Sequence, residues 1–85
     1  MTADEVIAEI GVQLEKARRK HDPMHGPHEG YAVILEELDE FWDEVRAWHG
    51  HEFYSAEKAR KELVQIAAMA ARAAEDLLEE HPDAR

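Results

Sequence analysis

The chain has 85 residues, no cysteine and a formal net charge of −10. This length suits a single domain over residues 1–85, and the lack of cysteine excludes disulfides, thiolate catalysis and cysteine-based zinc sites. The acidic balance argues against general binding to nucleic acid or anionic membranes, and no apolar run reaches the roughly 20 residues that span a bilayer. No segment resembles a signal peptide, so we expect a cytoplasmic protein.

The first predicted helix begins after Thr2, whose hydroxyl can form a capping box with Glu5. The basic run at residues 18–20 suits the negative C-terminal end of such a helix. Its apolar residues recur every three or four positions, as on an amphipathic helix; they are Ala3, Ile7, Ile10, Leu14 and Ala17. Residues 21–30 hold two prolines and two glycines, which predicts a loop.

The second predicted helix runs from about Glu29 to His49 and stops before Gly50. The helical spacing of its apolar residues predicts one packed face. That stripe consists of Tyr31, Ile34, Leu35, Leu38, Phe41 or Trp42, Val45 and Trp48. Residues 51–54 form a short connection to the next helix.

The third predicted helix begins after Ser55, a suitable cap, and runs from about Ala56 to Glu80, before Pro82. Its apolar stripe consists of Ala59, Leu63, Ile66, Ala67, Ala70, Ala74, Leu77 and Leu78. Six of the eight residues 67–74 are alanine, which favours the helix and also allows another helix to approach closely. We therefore predict an all-α fold, a helical hairpin plus an N-terminal helix, completed into a four-helix-type bundle by a homodimer or a dimer of dimers.

A cluster of acidic residues lies within these helical patterns. Glu37 and Glu40 are three residues apart and share a helix face, with Glu36 beside Glu40. If the third helix lies antiparallel to the second, Glu62 can join them. Carboxylates held so close repel one another and favour a cation, and oxygen ligands select Mg²⁺ or Mn²⁺. The alternative is an ordinary solvated acidic face.

The order of these residues resembles a known family. Glu36-Glu37-Leu38-Asp39-Glu40, a gap of 21 residues and then Glu62-Leu63-Val64-Gln65 is similar to the Glu-Glu-x-x-Glu and Glu-x-x-Asp signature of the MazG-type all-α nucleoside triphosphate pyrophosphohydrolases. Residues 28–35 and 62–68 also look like small MazG-like proteins, and the resemblance covers about residues 20–78.

This resemblance implies Mg²⁺-dependent cleavage of a nucleoside triphosphate between the α and β phosphates, giving monophosphate and pyrophosphate. By position it implies metal ligands at Glu37, Glu40, Glu62 and Gln65, and a water-orienting role for Glu36. Gln65 departs from the signature, because its neutral amide stands where the family has aspartate. The departure leaves open a second reading, a catalytically impaired helical interaction protein with this fold.

Two further groups allow alternative interpretations. Lys58 and Lys61 can bind substrate phosphate, or Lys61 can pair with Glu57 at the surface. Histidines gather in the two connections, which allows a transition-metal site, although their spacing fits no closed motif. These histidines are His21, His25, His28, His49 and His51.

Overall fold

The computed structural model describes residues 1–49 and 55–78, and these residues form three α-helices with no strand. Helix α1 is Ala3–Lys20, α2 is Pro27–His49 and α3 is Ala56–Leu78. The all-α prediction is confirmed. The predicted connection at 51–54, the stop at Gly50 and the helix end near Glu80 and Pro82 lie outside the described residues.

Side-chain hydrogen bonds cap the N-terminal ends of α1 and α3. The hydroxyl of Thr2 accepts a hydrogen bond from the Glu5 amide at 3.1 Å, and the Thr2 amide donates to the Glu5 carboxylate at 3.0 Å. This is the predicted capping box. Ser55 caps α3 by accepting from the amide of Lys58 at 3.1 Å.

Helix α2 starts earlier than predicted, at Pro27 rather than at Glu29. Proline suits the first turn of a helix because that turn has no partner for the missing amide proton. The last four residues of the predicted 21–30 loop therefore belong to α2. Gly30 in this turn is buried, and an added Cβ would lie 2.9 Å from Cδ1 of Leu77. Glycine thus allows the close approach of α2 to α3.

Helix α3 is central, because both α1 and α2 pack on it while these two make no helix-to-helix contact within the described residues. Gly30 lies beside Ala73, at the far end of α3, while Glu44 pairs with Lys58 near its start, so α2 and α3 are antiparallel. The central cluster of the core consists of Ala17, Ala68 and Met69 with Ile10, Leu14, Val33 and Ile34 packed around them. The other buried apolar residues are Met24, Ala59, Val64 and Ala73.

Several residues of the predicted apolar stripes face solvent. On α2 the side towards α3 carries Ile34 and Phe41, which are partly buried, whereas four other stripe members and Trp48 are exposed. Those four are Tyr31, Leu35, Leu38 and Trp42. Ile7 on α1 and Leu63, Ala70 and Ala74 on α3 are exposed as well. These positions are exposed in one chain because α2 and α3 carry apolar residues on more faces than one neighbouring helix can cover.

Candidate metal centre

Three carboxylates converge where α2 crosses α3. Glu37 and Glu40 come from successive turns of α2, and Glu62 comes from the facing turn of α3. One oxygen from each carboxylate lies within 4.8 Å of the others. Glu37 and Glu62 are half-buried and Glu40 is exposed, so the cluster lies at the rim of the α2–α3 interface. The antiparallel hairpin brings these residues together as the helical spacing predicts.

Burial and mutual repulsion disfavour the charged forms of two of these groups. Burial raises the pKa of Glu62 to about 7, with further contributions from a hydrogen bond to Glu40 and from the negative charges of Glu40, Glu37 and Glu44. The pKa of Glu37 is also raised, again by burial first and then by Glu40 and Glu36. Without a cation, Glu62 is therefore only partly ionised near neutral pH.

One oxygen of the cluster has no partner among the described residues. Oε2 of Glu62 is buried and accepts no hydrogen bond from residues 1–49 or 55–78. An unpaired buried carboxylate oxygen is costly, on the order of 1–3 kcal/mol or more when it is charged. A cation bound by the three carboxylates would offset their repulsion, and a cation ligated through Oε2 of Glu62 would also satisfy this oxygen, so the residues present fit a metal.

A fourth acidic residue, Glu44, extends the cluster along α2. Its side chain is 13% exposed, and it pairs with Nζ of Lys58 at 3.7 Å. Glu44 was not predicted as part of the site. The signal was available in its spacing, because residues 37, 40 and 44 follow one another by three and four positions and share a helix face.

Glu36 lies apart from the three converging carboxylates. It is exposed and, together with Glu37, lines a cleft of about 400 Å³ that opens between α2 and the segment joining α1 to α2. This volume is within the range of small-molecule sites. The other lining residues are His21, Asp22, His25, Glu29, Val33, Met69 and Arg72.

Gln65 and Lys61 border a different groove, between α1 and α3. The amide nitrogen of Gln65 donates to Oε1 of Gln13 at 2.8 Å, and Gln13 in turn donates to Glu9 at 2.9 Å. Lys61 lines the same groove and pairs with Glu57 at 4.0 Å on the surface. Of the two predicted substrate-binding lysines, Lys58 thus lies next to the carboxylate cluster, through Glu44, and Lys61 pairs at the surface.

Arg72 holds the segment between α1 and α2 against α3. Its side chain is buried; Nη2 donates to the backbone oxygen of Asp22 at 2.9 Å, and Nε lies 3.9 Å from Asp76. Asp76 also accepts from the amide of Met24 at 3.0 Å. Arg72 therefore lines the cleft, and Asp76 connects it to the segment between α1 and α2.

The histidines that the structure describes do not assemble a ligand set. His25 pairs with Glu29 at 3.0 Å on the surface, and this hydrogen bond raises the pKa of His25. Within residues 1–49 and 55–78, the group able to hold a metal ion is the glutamate cluster, and no histidine joins it. His51 lies outside the described residues.

Comparisons with known proteins add no family assignment: no protein-family model, curated protein or solved structure matches the chain. None of the described helices is both long enough and apolar enough to cross a bilayer.

Proposed function

We propose that this protein is a MazG-like nucleoside triphosphate pyrophosphohydrolase that depends on Mg²⁺, with Mn²⁺ as a substitute. Its products would be a nucleoside monophosphate and pyrophosphate. The observation that carries the proposal is the convergence of Glu37, Glu40 and Glu62, one of which has a buried carboxylate oxygen with no hydrogen-bond partner among the described residues. Three carboxylates without nitrogen or sulfur ligands suit a hard cation that also binds phosphate oxygens.

The three glutamates would hold the ion. When bound, Mg²⁺ supplies positive charge that neutralises the phosphate oxygens and favours attack of water at phosphorus. Because burial raises the pKa values of Glu62 and Glu37, these residues must release protons as they become ligands. Loading of the site therefore becomes easier as the pH rises through neutrality.

Glu36 is the residue we assign to orienting the attacking water. It is next to Glu37 in the chain, and both line the cleft beside the cluster. A carboxylate in this position can accept a proton from water while substrate occupies the cleft. Lys58 pairs with Glu44 beside the cluster, whereas Lys61 pairs with Glu57 at the surface, and this supports Lys58 over Lys61 as the residue that binds phosphate.

A second candidate function is a helical interaction protein without catalysis. The hydrogen bond from Gln65 to Gln13 favours it, since this amide joins two helices at the position where the resemblance expects a charged ligand. Only the amide oxygen of Gln65 is then left to face a cation, and it brings no charge.

Pyrophosphate release from a panel of nucleoside triphosphates, measured with and without Mg²⁺, separates the two candidates. We expect turnover with Mg²⁺ that is lost in Glu40→Gln and Glu62→Gln and kept in Glu15→Gln, which removes an exposed carboxylate of α1. Wild-type protein that releases no pyrophosphate from any nucleotide, although the ion binds, would favour the interaction protein.

A further inference from the structure

The cleft between α2 and the segment that joins α1 to α2 contains a buried cation whose hydrogen bonds are incomplete. The side chain of Arg72 lines this cleft and is 7% exposed. Its Nη2 donates to the backbone oxygen of Asp22, and its Nε lies 3.9 Å from Asp76, which is beyond hydrogen-bonding distance. Among the described residues, Nη1 has only the sulfur of Met69, a weak acceptor, at 3.9 Å. Arg72 therefore has N–H donors available for an acceptor that enters the cleft.

Glu29 supplies hydrogen-bond acceptors in the same cleft. Its hydrogen bond with His25 lowers its pKa most, and the positive charge of Arg72 lowers it further. Glu29 is therefore ionised at neutral pH and lies within electrostatic reach of Arg72. The apolar side chains of Val33 and Met69 also line the cleft. A donor, an acceptor and apolar walls together suit a flat ring that carries polar groups at its edge.

This cleft adjoins the carboxylate cluster, because Glu37 belongs to both. Arg72 follows Glu62 by ten residues, which is about 15 Å along α3. Mg²⁺ binds oxygen ligands at about 2.1 Å, so phosphates held by the ion must stay beside the cluster. Four of the nine residues that line the cleft are acidic, and they disfavour a further phosphate near Arg72. The uncharged part of a nucleotide therefore reaches Arg72, and within that part the base is the flat ring.

We propose that Arg72 and Glu29 bind the base of the nucleotide and select guanine, an inference that rests on the proposed function and adds the identity of the base to it. Guanine has two neighbouring acceptors, O6 and N7, and two neighbouring donors, N1–H and the N2 amino group. Nη1 of Arg72 donates to the acceptors, and the two carboxylate oxygens of Glu29 accept from the donors. Val33 and Met69 contact the faces of the ring.

Each of the other three bases leaves one of these groups with a mismatched partner. Adenine has no carbonyl oxygen, and its N6 amino group is next to the acceptor N1, so one oxygen of Glu29 would face a lone pair. Cytosine places its N4 amino group next to the acceptor N3, with the same result. Uracil has a single donor, N3–H, between two carbonyl oxygens that repel a carboxylate. A polar group that loses water without gaining a partner costs affinity, so guanine is favoured.

Calorimetric titration with the four nucleoside monophosphates GMP, AMP, CMP and UMP in the presence of Mg²⁺ tests this assignment, because these ligands carry the same phosphate and differ in the base. We expect GMP to bind at least about 10-fold more tightly than each of the others, the discrimination typical of one bidentate contact. Glu29→Gln should reduce the preference for GMP over AMP by about 10-fold or more, because an amide both donates and accepts and so pairs with adenine. Arg72→Lys should also weaken GMP binding, because lysine lacks the planar fork of donors.

Glu15→Gln is the matched control. The side chains of Glu15 and Glu29 are 52% and 41% exposed, and each pairs with a basic side chain four residues away, but Glu15 lies outside the cleft. This variant should keep the wild-type preference for GMP. If Arg72→Lys does not fold, as judged by circular dichroism, Glu29→Gln decides, since Glu29 is partly exposed. Another monophosphate that binds wild type as tightly as GMP, or an unchanged preference in Glu29→Gln, would overturn the assignment.

Failure of this assignment can be distinguished from failure of the proposed function. Pyrophosphate release from all nucleoside triphosphates at similar rates, together with equal binding of the monophosphates, would overturn the choice of guanine and leave the pyrophosphohydrolase in place. Selective binding of GMP without pyrophosphate release from any triphosphate would support the base site and overturn the catalytic function.

Discussion

The amide nitrogen of Gln65 on α3 donates a 2.8 Å hydrogen bond to the side-chain oxygen of Gln13 on α1. This bond ties α1 to the helix that carries Glu62. The pair is partly buried. Removal of either side chain therefore leaves the other glutamine with one hydrogen bond fewer in a place that water reaches poorly, which costs stability.

A double-mutant cycle on Gln13→Ala and Gln65→Ala should give a coupling energy of about 1 kcal/mol in urea unfolding, as expected for a neutral hydrogen bond. We expect Mg²⁺ to raise the melting temperature of the wild type by binding to the carboxylate cluster. If Gln65 acts mainly through Gln13, both single variants should show the same increase. A loss of that increase in Gln65→Ala alone would make Gln65 a metal ligand instead.

The raised pKa of Glu62 makes stability depend on pH in the metal-free protein. An ordinary glutamate titrates near 4.5, whereas Glu62 titrates at about 7 in the folded state. Between these values the folded state binds more protons than the unfolded state, so its stability falls as the pH rises. For this half-buried group we expect a loss on the order of 2 kcal/mol between pH 5 and pH 8 with chelator present.

The measurement is the urea midpoint of wild type and Glu62→Gln at both pH values. His25 and Glu37 also have raised pKa values and contribute in the same direction, so the difference between the two proteins measures the contribution that depends on Glu62. The lowered pKa values of Glu5 and Glu29 affect stability only below about pH 4.5. An equal change of the urea midpoint with pH in wild type and Glu62→Gln would show that Glu62 does not titrate with a raised pKa.

Arg72 should matter more for stability than an arginine at the surface. It is 6% exposed, it bonds the backbone of Asp22, and its loss removes the cation that pairs with Asp76 among the described residues. We expect Arg72→Ala to cost about 3 kcal/mol of unfolding free energy. Arg18→Ala, which removes an exposed ion pair with Glu75, should cost less than about 1 kcal/mol. Similar losses in the two variants would mean that Arg72 does not hold the segment between α1 and α2.

Two glycines on helices should respond differently to alanine. Gly11 has no atom within 4 Å of an added Cβ, so Gly11→Ala should gain about 1 kcal/mol from helix propensity and raise the melting temperature by roughly 4–8 °C. At Gly30 the new Cβ would meet Leu77 at 2.9 Å, and the displacement of Leu77 offsets that gain. Thermal unfolding of both variants decides the matter. A Gly30→Ala protein as stabilised as Gly11→Ala would show that α2 does not need this close approach.

Capping residues and the spacing of apolar residues predicted the three helices correctly. The capping box at Thr2, the cap at Ser55 and the helical periodicity were sufficient to predict three helices, because these signals act over a few residues. The start of α2 was predicted two residues late, because the prolines and glycines of that segment were interpreted as a loop although Pro27 occupies the first turn.

Which helix face packs within the chain could not be predicted from periodicity. Helix α2 carries apolar side chains on the side of Ile34 and Phe41 and also on the side of Leu38 and Trp42, and spacing alone does not rank them. The approach at Gly30 selects the first side, and that is a tertiary contact. The convergence of Glu37, Glu40 and Glu62 was predictable because an antiparallel hairpin fixes it. The bond between Gln65 and Gln13 depends on where α1 packs, which the carboxylate pattern does not reveal.

We predict above all that Glu37, Glu40 and Glu62 form a binding site for a divalent cation. Thermal unfolding during titration with Mg²⁺ and with Mn²⁺ at pH 8, where Glu62 is ionised, tests it most directly. A ligand at 100 times its dissociation constant stabilises the native state by about 2.7 kcal/mol, so the melting temperature of wild type should rise by roughly 10 °C or more. Glu62→Gln and Glu40→Gln should lose most of this rise and Glu15→Gln should keep it. A wild-type melting temperature that responds to neither ion, or an equal response in all three variants, would contradict the claim.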